Sequence, residues 1–260
     1  MSDEGLGVFS GKDRPDFATA WNFYEKGLQF NNSINLDDTV KSNENFYIGK
    51  QWEGVQANGL PTPQFNIIKR VVGFTTATIT TDNIKVNATL LNKTARADDF
   101  VEPVRIINDE FEFLTEMNDI PALMREFTRN AAVDGDGCMY TYWDESIEAG
   151  NGVKGGIKTE IVPNTRVFFG NPNDRDVQSQ PYIQISTREI VRRAKRRAKA
   201  NKIADWQNII ADCDAATATD SVKRTDDKVT TILTMWRDED TGEIWAYEST
   251  QNCDIKKPWN

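Results

Sequence analysis

Hydrophobic side chains recur at helical spacing near the start of the chain. Phe17, Trp21, Tyr24 and Leu28 lie three or four positions apart. This spacing places the four side chains on one face of a helix. The pattern therefore predicts an amphipathic helix over about residues 16–30.

A polar stretch over residues 31–45 separates this helix from two further patterns. After a loop at residues 59–63, helical spacing predicts a second helix, and strict alternation then predicts a half-buried strand. Many threonines occur near the end of that helix, and their β-branched side chains favour fraying there. The helix is indicated by Phe65, Ile68, Val72 and Ile79, and the strand by Ile84, Val86, Ala88 and Leu90.

The central part of the chain predicts two helices followed by short strands. Apolar spacing indicates both helices within residues 97–136, and Pro121 marks the start of the second. Alternating side chains then indicate strands at residues 138–143, 157–162 and 166–169.

Two more elements are predicted toward the C-terminus. Ser186 and Glu189 have the spacing of a capping box, which predicts a helix over residues 187–201. Apolar runs at residues 229–236 and 243–247 flank an acidic turn and predict a β-hairpin. The whole pattern predicts an α+β fold of mixed helices and short, mostly antiparallel strands.

Composition limits the possible functions. The chain has 260 residues, 38% of them apolar, and a net charge of −9. Phosphate contacts from basic residues supply most non-specific affinity for DNA, so tight binding of duplex DNA is not expected. Histidine is absent. Its absence excludes catalytic triads built on histidine and histidine-based zinc sites.

Cysteine usage and hydropathy indicate the cellular compartment. Cys138, Cys213 and Cys253 are widely spaced and form no CxxC motif, so no disulfide framework is expected. The N-terminus has no signal-peptide pattern, and no apolar run approaches the roughly 18 residues that cross a bilayer. These features predict a cytoplasmic protein without a membrane segment.

A glycine motif at residues 150–155 matches GxGxxG. A dinucleotide-binding loop requires a helix directly after the motif, because the helix N-terminus receives the pyrophosphate. Residues 157–162 instead alternate like a strand. The motif is therefore interpreted as a hairpin loop.

Acidic residues raise the question of a metal site. An EF-hand loop beginning at Asp134 would require a glycine where Met139 stands, so a helix-to-strand turn is the better interpretation. Acidic doublets can hold divalent ions in nucleases, but neighbouring carboxylates point apart and are usually solvated. We predict no catalytic, cofactor-binding or metal-binding residue, and no enzymatic activity. The acidic clusters are Asp37-Asp38, Asp98-Asp99, Asp109-Glu110 and Asp238-Glu239-Asp240.

One dense basic run interrupts this acidic chain. Two interpretations remain open: an exposed helix with solvated charges, or a contact site for an acidic partner or nucleic acid. The second predicts that the helix faces outward. The candidate contact residues are Arg188, Arg192, Arg193, Lys195, Arg196, Arg197 and Lys199.

Four sequence blocks, in this order, resemble the N-terminal part of tailed-bacteriophage portal proteins. No block is catalytic in character, and the resemblance, which spans about residues 35–255, rests on their order and spacing. The blocks are residues 45–52 (NFYIGKQW), 66–73 (NIIKRVVG), 133–144 (VDGDGCMYTYWD) and 161–172 (IVPNTRVFFGNP).

The resemblance implies a structural subunit of a portal ring of about twelve copies at one capsid vertex. Double-stranded DNA would pass through the ring, bound weakly and without sequence preference, during packaging and ejection. The implied partners are the major capsid and scaffolding proteins, the terminase large subunit and the head-completion proteins. The implied location is the virion, with assembly in the host cytoplasm.

Composition and pattern predict a disordered N-terminus at residues 1–13, a polar linker or loop at 211–227 and a β-hairpin segment at 228–260. The resemblance implies that the α+β domain at residues 14–210 is wing-like. No stem, clip or crown region follows, so we expect a fragment or truncated product that is monomeric or heterogeneous alone. The alternatives are another head–tail adaptor or assembly protein and, from a different class, a metal-dependent nuclease.

Overall fold

The computed structural model describes residues 15–56, 58–81, 85–89, 97–148, 154–174, 176–212, 228–238 and 241–260, with the backbone alone at 97–99. The predicted disordered segment at 1–13 and most of the predicted linker at 211–227 lie outside these residues.

The fold is α+β, as predicted. Six α-helices run through the described residues: α1 (Phe17–Ser33), α2 (Leu36–Ile48), α3 (Ile67–Ile79), α4 (Ala97–Met117), α5 (Ile120–Asp134) and α6 (Val191–Ala200). Helices α4 and α5 correspond to the predicted pair within residues 97–136.

The strands form two separate antiparallel sheets. The strands are β1 (Cys138–Glu148), β2 (Lys154–Val162), β3 (Val167–Phe169), β4 (Ile183–Ile190), β5 (Lys228–Arg237), β6 (Ile244–Ser249) and β7 (Asp254–Trp259). One sheet has two strands, β1 and β2, and the other has five in the order β3-β4-β5-β6-β7. The pairing of β5 with β6 confirms the predicted hairpin.

The chain folds as two compact units. Unit 1 joins the residues up to Asp37 with those from Thr165 to Asn260, and unit 2 is Asp38–Asn164. Strand β4 pairs with β5 along the whole of β4, which places residues 228–260 in the same sheet as β3 and β4. The boundary predicted between residues 14–210 and 228–260 therefore does not coincide with a boundary between the units.

Unit 1 is a five-stranded sheet covered by a helix on each face. Val229 and Trp236 lie on the same strand, β5, but an odd number of positions apart, so their side chains point to opposite faces. Val229 packs in a cluster with Ala194 of α6, and Trp236 packs in a second cluster with Ala20 of α1. The two clusters form the core of this unit.

Polar and aromatic contacts fix α1 on the sheet. The amide of Gln184 is fully buried and donates to the backbone oxygen of Ala20 and to the hydroxyl of Thr234, both at 2.9 Å. The ring of Phe23 stacks on Tyr182 with 4.4 Å between centroids. Such buried hydrogen bonds and ring contacts specify one orientation of a helix that burial alone would leave free to slide.

Unit 2 has a much thinner core. Among the described residues of this unit, the buried apolar side chains are Val72, Val133 and Val162. Helix α3 packs on α5, and α5 in turn packs on α4 and β2. Most of the large apolar side chains of this unit remain exposed, including Phe65 and Phe74 at 73% and 75%.

Residues 85–89 do not form the predicted strand. The backbone N–H of Ala88 donates to the side-chain oxygen of Asn108 at 2.7 Å, and the amide of Asn108 donates back to the Ala88 oxygen at 3.4 Å. A side chain of α4 therefore satisfies the backbone groups that a neighbouring strand would have paired. Alternation alone cannot supply the partner that a strand needs.

The predicted helix start at Ser186 is also wrong. Ser186 and Glu189 lie in β4, which pairs with β3 on one side and β5 on the other, and the helix begins only at Val191. At Ser186 and Glu189 the strand pairs with β5, and this ladder of backbone hydrogen bonds outweighs a short capping signal. The polar stretch at 31–45, where no element was predicted, contains most of α2.

Candidate binding site on the basic helix

Helix α6 follows β4 directly and presents two different faces. Ala194 and Ala198 lie one turn apart and are fully buried against the sheet, where they pack with Ile209, Val229 and Ile255. Only small side chains fit this close approach of helix and sheet. The face formed by Ala194 and Ala198 fixes the rotation of α6 about its axis. That rotation determines which basic residues point outward.

Arg197 points toward the sheet rather than toward solvent. Its guanidinium donates to Glu189 at 2.8 Å and also to Glu248 of β6. Burial alone would lower the pKa of Arg197, but the charges of Glu248 and Glu189 outweigh burial and raise it. Arg193 lies 3.6 Å from Glu189 and belongs to the same group. These two arginines, which the sequence grouped with the contact residues, have structural partners.

The other basic residues of α6 share one face and line an open groove of about 530 Å³. The ammonium of Lys199 lies 5.5 Å from the centre of the Trp206 ring, within cation–π range. We call this surface the basic groove. It is lined by Arg192, Lys195, Arg196 and Lys199 together with Ile190, Val191 and Trp206.

Within the described parts of the chain, none of the four cations of the basic groove forms an ion pair with a carboxylate. Their positions, three or four residues apart, bring the charges onto adjacent turns of one helical face. Such a face can bind phosphates or a row of carboxylates, and Trp206 adds an apolar surface beside them.

Arg188 lies outside this arrangement. It is an exposed residue of β4 rather than of the helix, and it has an interaction with other residues of the chain. The seven predicted contact residues therefore separate into three sets: four in the groove, two bound to Glu189, and Arg188 on the strand.

The other predicted motifs occupy turns and surfaces. Residues 150–153 of the glycine motif lie outside the described residues, and Lys154 begins β2, a strand and not the helix that a dinucleotide loop needs. Asp134 ends α5 and Gly135 follows with a φ of 94°. Burial raises the pKa of Asp134. This geometry is that of a helix-to-strand turn.

The described acidic residues do not converge on a metal position. Asp37, Asp38, Asp109 and Glu110 lie on the helices α2 and α4, while Glu239 and Asp240 and the side chains of Asp98 and Asp99 fall outside the described residues. Among the described residues no group of three or more Cys, Asp or Glu side chains is placed to hold a metal ion.

A second charged groove was missed by the sequence argument. In unit 2, three carboxylates of α4 border an apolar cavity of about 280 Å³, which we call the acidic groove. The acids lie three and four positions apart, a helical spacing that could have revealed them. The lining of the acidic groove includes Asp109, Glu112 and Glu116, the apolar residues Ile79, Val86, Phe111, Ile120 and Met124, the polar residues Thr80, Asn87, Asn108 and Thr115, and Lys85 and Pro121.

Comparison with known proteins adds no family assignment. No protein-family model matches the sequence, and the curated proteins contain no significant match to it. Across the described ranges, every helix is too short or too polar to cross a bilayer.

Proposed function

We propose that this chain is a non-enzymatic structural subunit of a phage portal ring. The ring would stand at one capsid vertex, serve as the DNA conduit during packaging and ejection, and provide the docking site for terminase and later for head-completion proteins. Capsid and scaffolding proteins would surround it during assembly in the host cytoplasm. The proposal rests on the order of the four sequence blocks and on one structural observation.

That observation is the exposed apolar surface of unit 2. Helix α3 leaves Ile67, Val71 and Phe74 exposed at 66%, 57% and 75%, and Phe65 precedes them at 73%. Monomeric proteins seldom leave contiguous apolar surface of this kind in water, and such patches mark protein contacts. A subunit whose apolar surface is completed by its neighbours has this character, whereas an enzyme needs an enclosed site.

The first block has a structural role consistent with the proposal. The indole N–H of Trp52 donates to the Pro63 oxygen at 3.0 Å, and the amide of Asn66 donates to the Tyr47 oxygen at 3.0 Å. These bonds join the end of α2 to the start of α3. The block therefore positions α3 and its apolar face, which is a reason to retain those residues in an assembly protein.

The net charge of the chain is compatible with a DNA conduit. A conduit has to let DNA pass without gripping it, and negative walls repel phosphates. The net charge of −9 is compatible with that requirement.

Negative-stain electron microscopy of the product of the complete reading frame tests the proposal. We expect closed rings with a central channel and about twelve subunits, as the resemblance implies. A reading frame that continues past Asn260 with a long helix, a β insertion and a second long helix would favour a portal over a head–tail adaptor. A product that remains a monomer at every concentration and salt would overturn the proposal.

A further inference from the structure

We propose that the basic groove of one copy binds the acidic groove of a second copy of this chain. The inference rests on the proposed ring function and names the surfaces that would join neighbouring subunits. The two grooves lie on different units and differ in charge, so the contact is heterologous: one surface of each copy meets a different surface of the next. Repeated contacts of this type close into a ring or extend into a filament.

The basic groove supplies four positive charges on consecutive turns of α6. Arg192 and Arg196 lie one turn apart, as do Lys195 and Lys199. Within the described residues these four charges have no ion-pair partner. In contrast, the same helix satisfies Arg197 with two carboxylates. On this helix, Arg197 therefore stabilises the fold, whereas the four cations of the basic groove remain available to a partner.

The acidic groove supplies the opposite charge in a similar arrangement. Glu112 and Glu116 lie one turn apart on α4 and border the cavity. Glu112 has a distant partner, Lys85 at 3.9 Å, and both side chains are more than two-thirds exposed. Asp109 is held by Arg105 at 2.9 Å. Glu116 has no ion pair among the described residues.

Both grooves add apolar surface to the charges. The basic groove contains Ile190, Val191 and Trp206, and the acidic groove contains Phe111 and Met124 among others. Exposed ion pairs contribute little each, so charge would mainly set register and orientation. Burial of the apolar side chains would supply most of the affinity. The contact is therefore expected to be weak in isolated chains and sensitive to salt.

A nucleic acid is the competing occupant of the basic groove, and it fits less well. A ten-residue helix with four cations in the groove is a small footprint for a duplex, and the remainder of the chain is acidic enough to bring the net charge to −9. Long-range repulsion between that charge and a polyanion opposes binding. The acidic groove offers a complementary partner whose local concentration in an assembling ring is high.

Charge-swap variants test the contact directly. The basic-reversed variant is Arg192→Glu with Arg196→Glu, and the acidic-reversed variant is Glu112→Lys with Glu116→Lys. A third chain carries all four changes. The control is Lys154→Glu with Lys257→Glu, two exposed lysines outside both grooves that change the net charge as the basic-reversed variant does. Circular dichroism and urea unfolding establish that each variant folds.

Sedimentation velocity over a wide concentration range, at about 50 mM and about 500 mM salt, gives the readout. We expect the unaltered chain to associate with a dissociation constant that rises on the order of tenfold at high salt. Each reversed variant alone should weaken association by roughly a further tenfold, since like charges then face each other. A one-to-one mixture of the two variants, and the chain carrying all four changes, should recover it. The control should behave as the unaltered chain.

Reversed variants that associate as the unaltered chain does, or a mixture that fails to recover, would overturn the inference. So would tight binding of a duplex oligonucleotide that disappears with Arg192→Glu and Arg196→Glu while no self-association is seen. Failure of the ring proposal is a separate outcome. Complete products that form rings despite either reversal alone contradict this contact alone, and charge-dependent association without any closed ring contradicts the ring alone.

Discussion

The guanidinium of Arg197 donates a hydrogen bond to the carboxylate of Glu248, and this pair joins α6 to β6. The Glu248 side chain is 12% exposed and that of Arg197 is 38% exposed. Arg197 is therefore held against the sheet, unlike the outward-facing basic residues of the same helix.

Replacing Arg197 with methionine should destabilise the protein by about 2 kcal/mol. Removing one partner of a fully buried pair costs roughly 3–5 kcal/mol, and the partial exposure of Arg197 reduces that penalty. Arg196→Met is the matched control, because Arg196 is exposed and unpaired among the described residues, and it should change the free energy of unfolding by less than about 0.5 kcal/mol. Urea denaturation followed by circular dichroism measures both. Equal effects of the two substitutions would refute the structural role of Arg197.

The loss of stability caused by Arg197→Met should depend on pH. Burial raises the pKa of Glu248, and Arg197 opposes that shift, so the pKa rises further when the arginine is lost. A raised folded-state pKa contributes stability that is complete below the unfolded value, near 4.3, and is lost as pH rises through the folded value. The difference in free energy of unfolding between the unaltered protein and the variant should therefore be smaller at about pH 5 than at about pH 8. A deficit that is constant over this range would contradict the assignment to Glu248.

Two glycines in helices should respond oppositely to alanine. A Cβ on Gly27 of α1 would meet the buried Phe168 ring at 2.7 Å, so Gly27→Ala should destabilise by about 1–3 kcal/mol despite a better helix propensity. A Cβ on Gly73 of α3 meets nothing within 4 Å, so Gly73→Ala should stabilise by up to about 1 kcal/mol. Thermal unfolding of the two variants measures the difference. Stabilisation by both would mean that α1 does not pack closely on β3.

Sequence periodicity correctly predicted the elements whose structure depends mainly on residues close together in the chain. Phe17, Trp21 and Tyr24 recur at helical spacing, and α1 extends over them. The hairpin of β5 and β6 was likewise predicted, because its alternating strands are joined by a short acidic turn. Local pattern suffices for such elements, because the residues that carry the signal also make the contacts.

Sequence-based prediction failed for features whose structure depends on contacts with residues distant along the chain. Ser186 and Glu189 have the spacing of a capping box, but both pair with residues of β5, forty or more positions later along the chain, and form a strand instead. Helix α2 has no buried residue among those described, so it carries no apolar stripe to reveal it. In the basic helix, composition identified the charges, but the contact of Arg197 with Glu248 of β6 could not be inferred from spacing.

The exposed face of α3 gives a prediction about assembly. Phe74 is 75% exposed, so Phe74→Ser should leave the free energy of unfolding within about 0.5 kcal/mol of the unaltered protein. The same change should weaken self-association and the binding of a hydrophobic dye, because apolar surface is lost. Val72→Ser is the matched control two positions earlier: Val72 is 8% exposed, and its loss should destabilise unit 2 by more than 1 kcal/mol. If Phe74→Ser unfolds the protein, the residue belongs to a core rather than to a contact surface.

Mass photometry of the product of the complete reading frame tests the central claim most directly. A portal subunit should give one dominant species of about twelve times the subunit mass, stable on dilution, because ring closure gives every subunit two contacts. A monomer at all concentrations and salts, or an open-ended ladder of masses without a dominant closed species, would contradict the portal proposal.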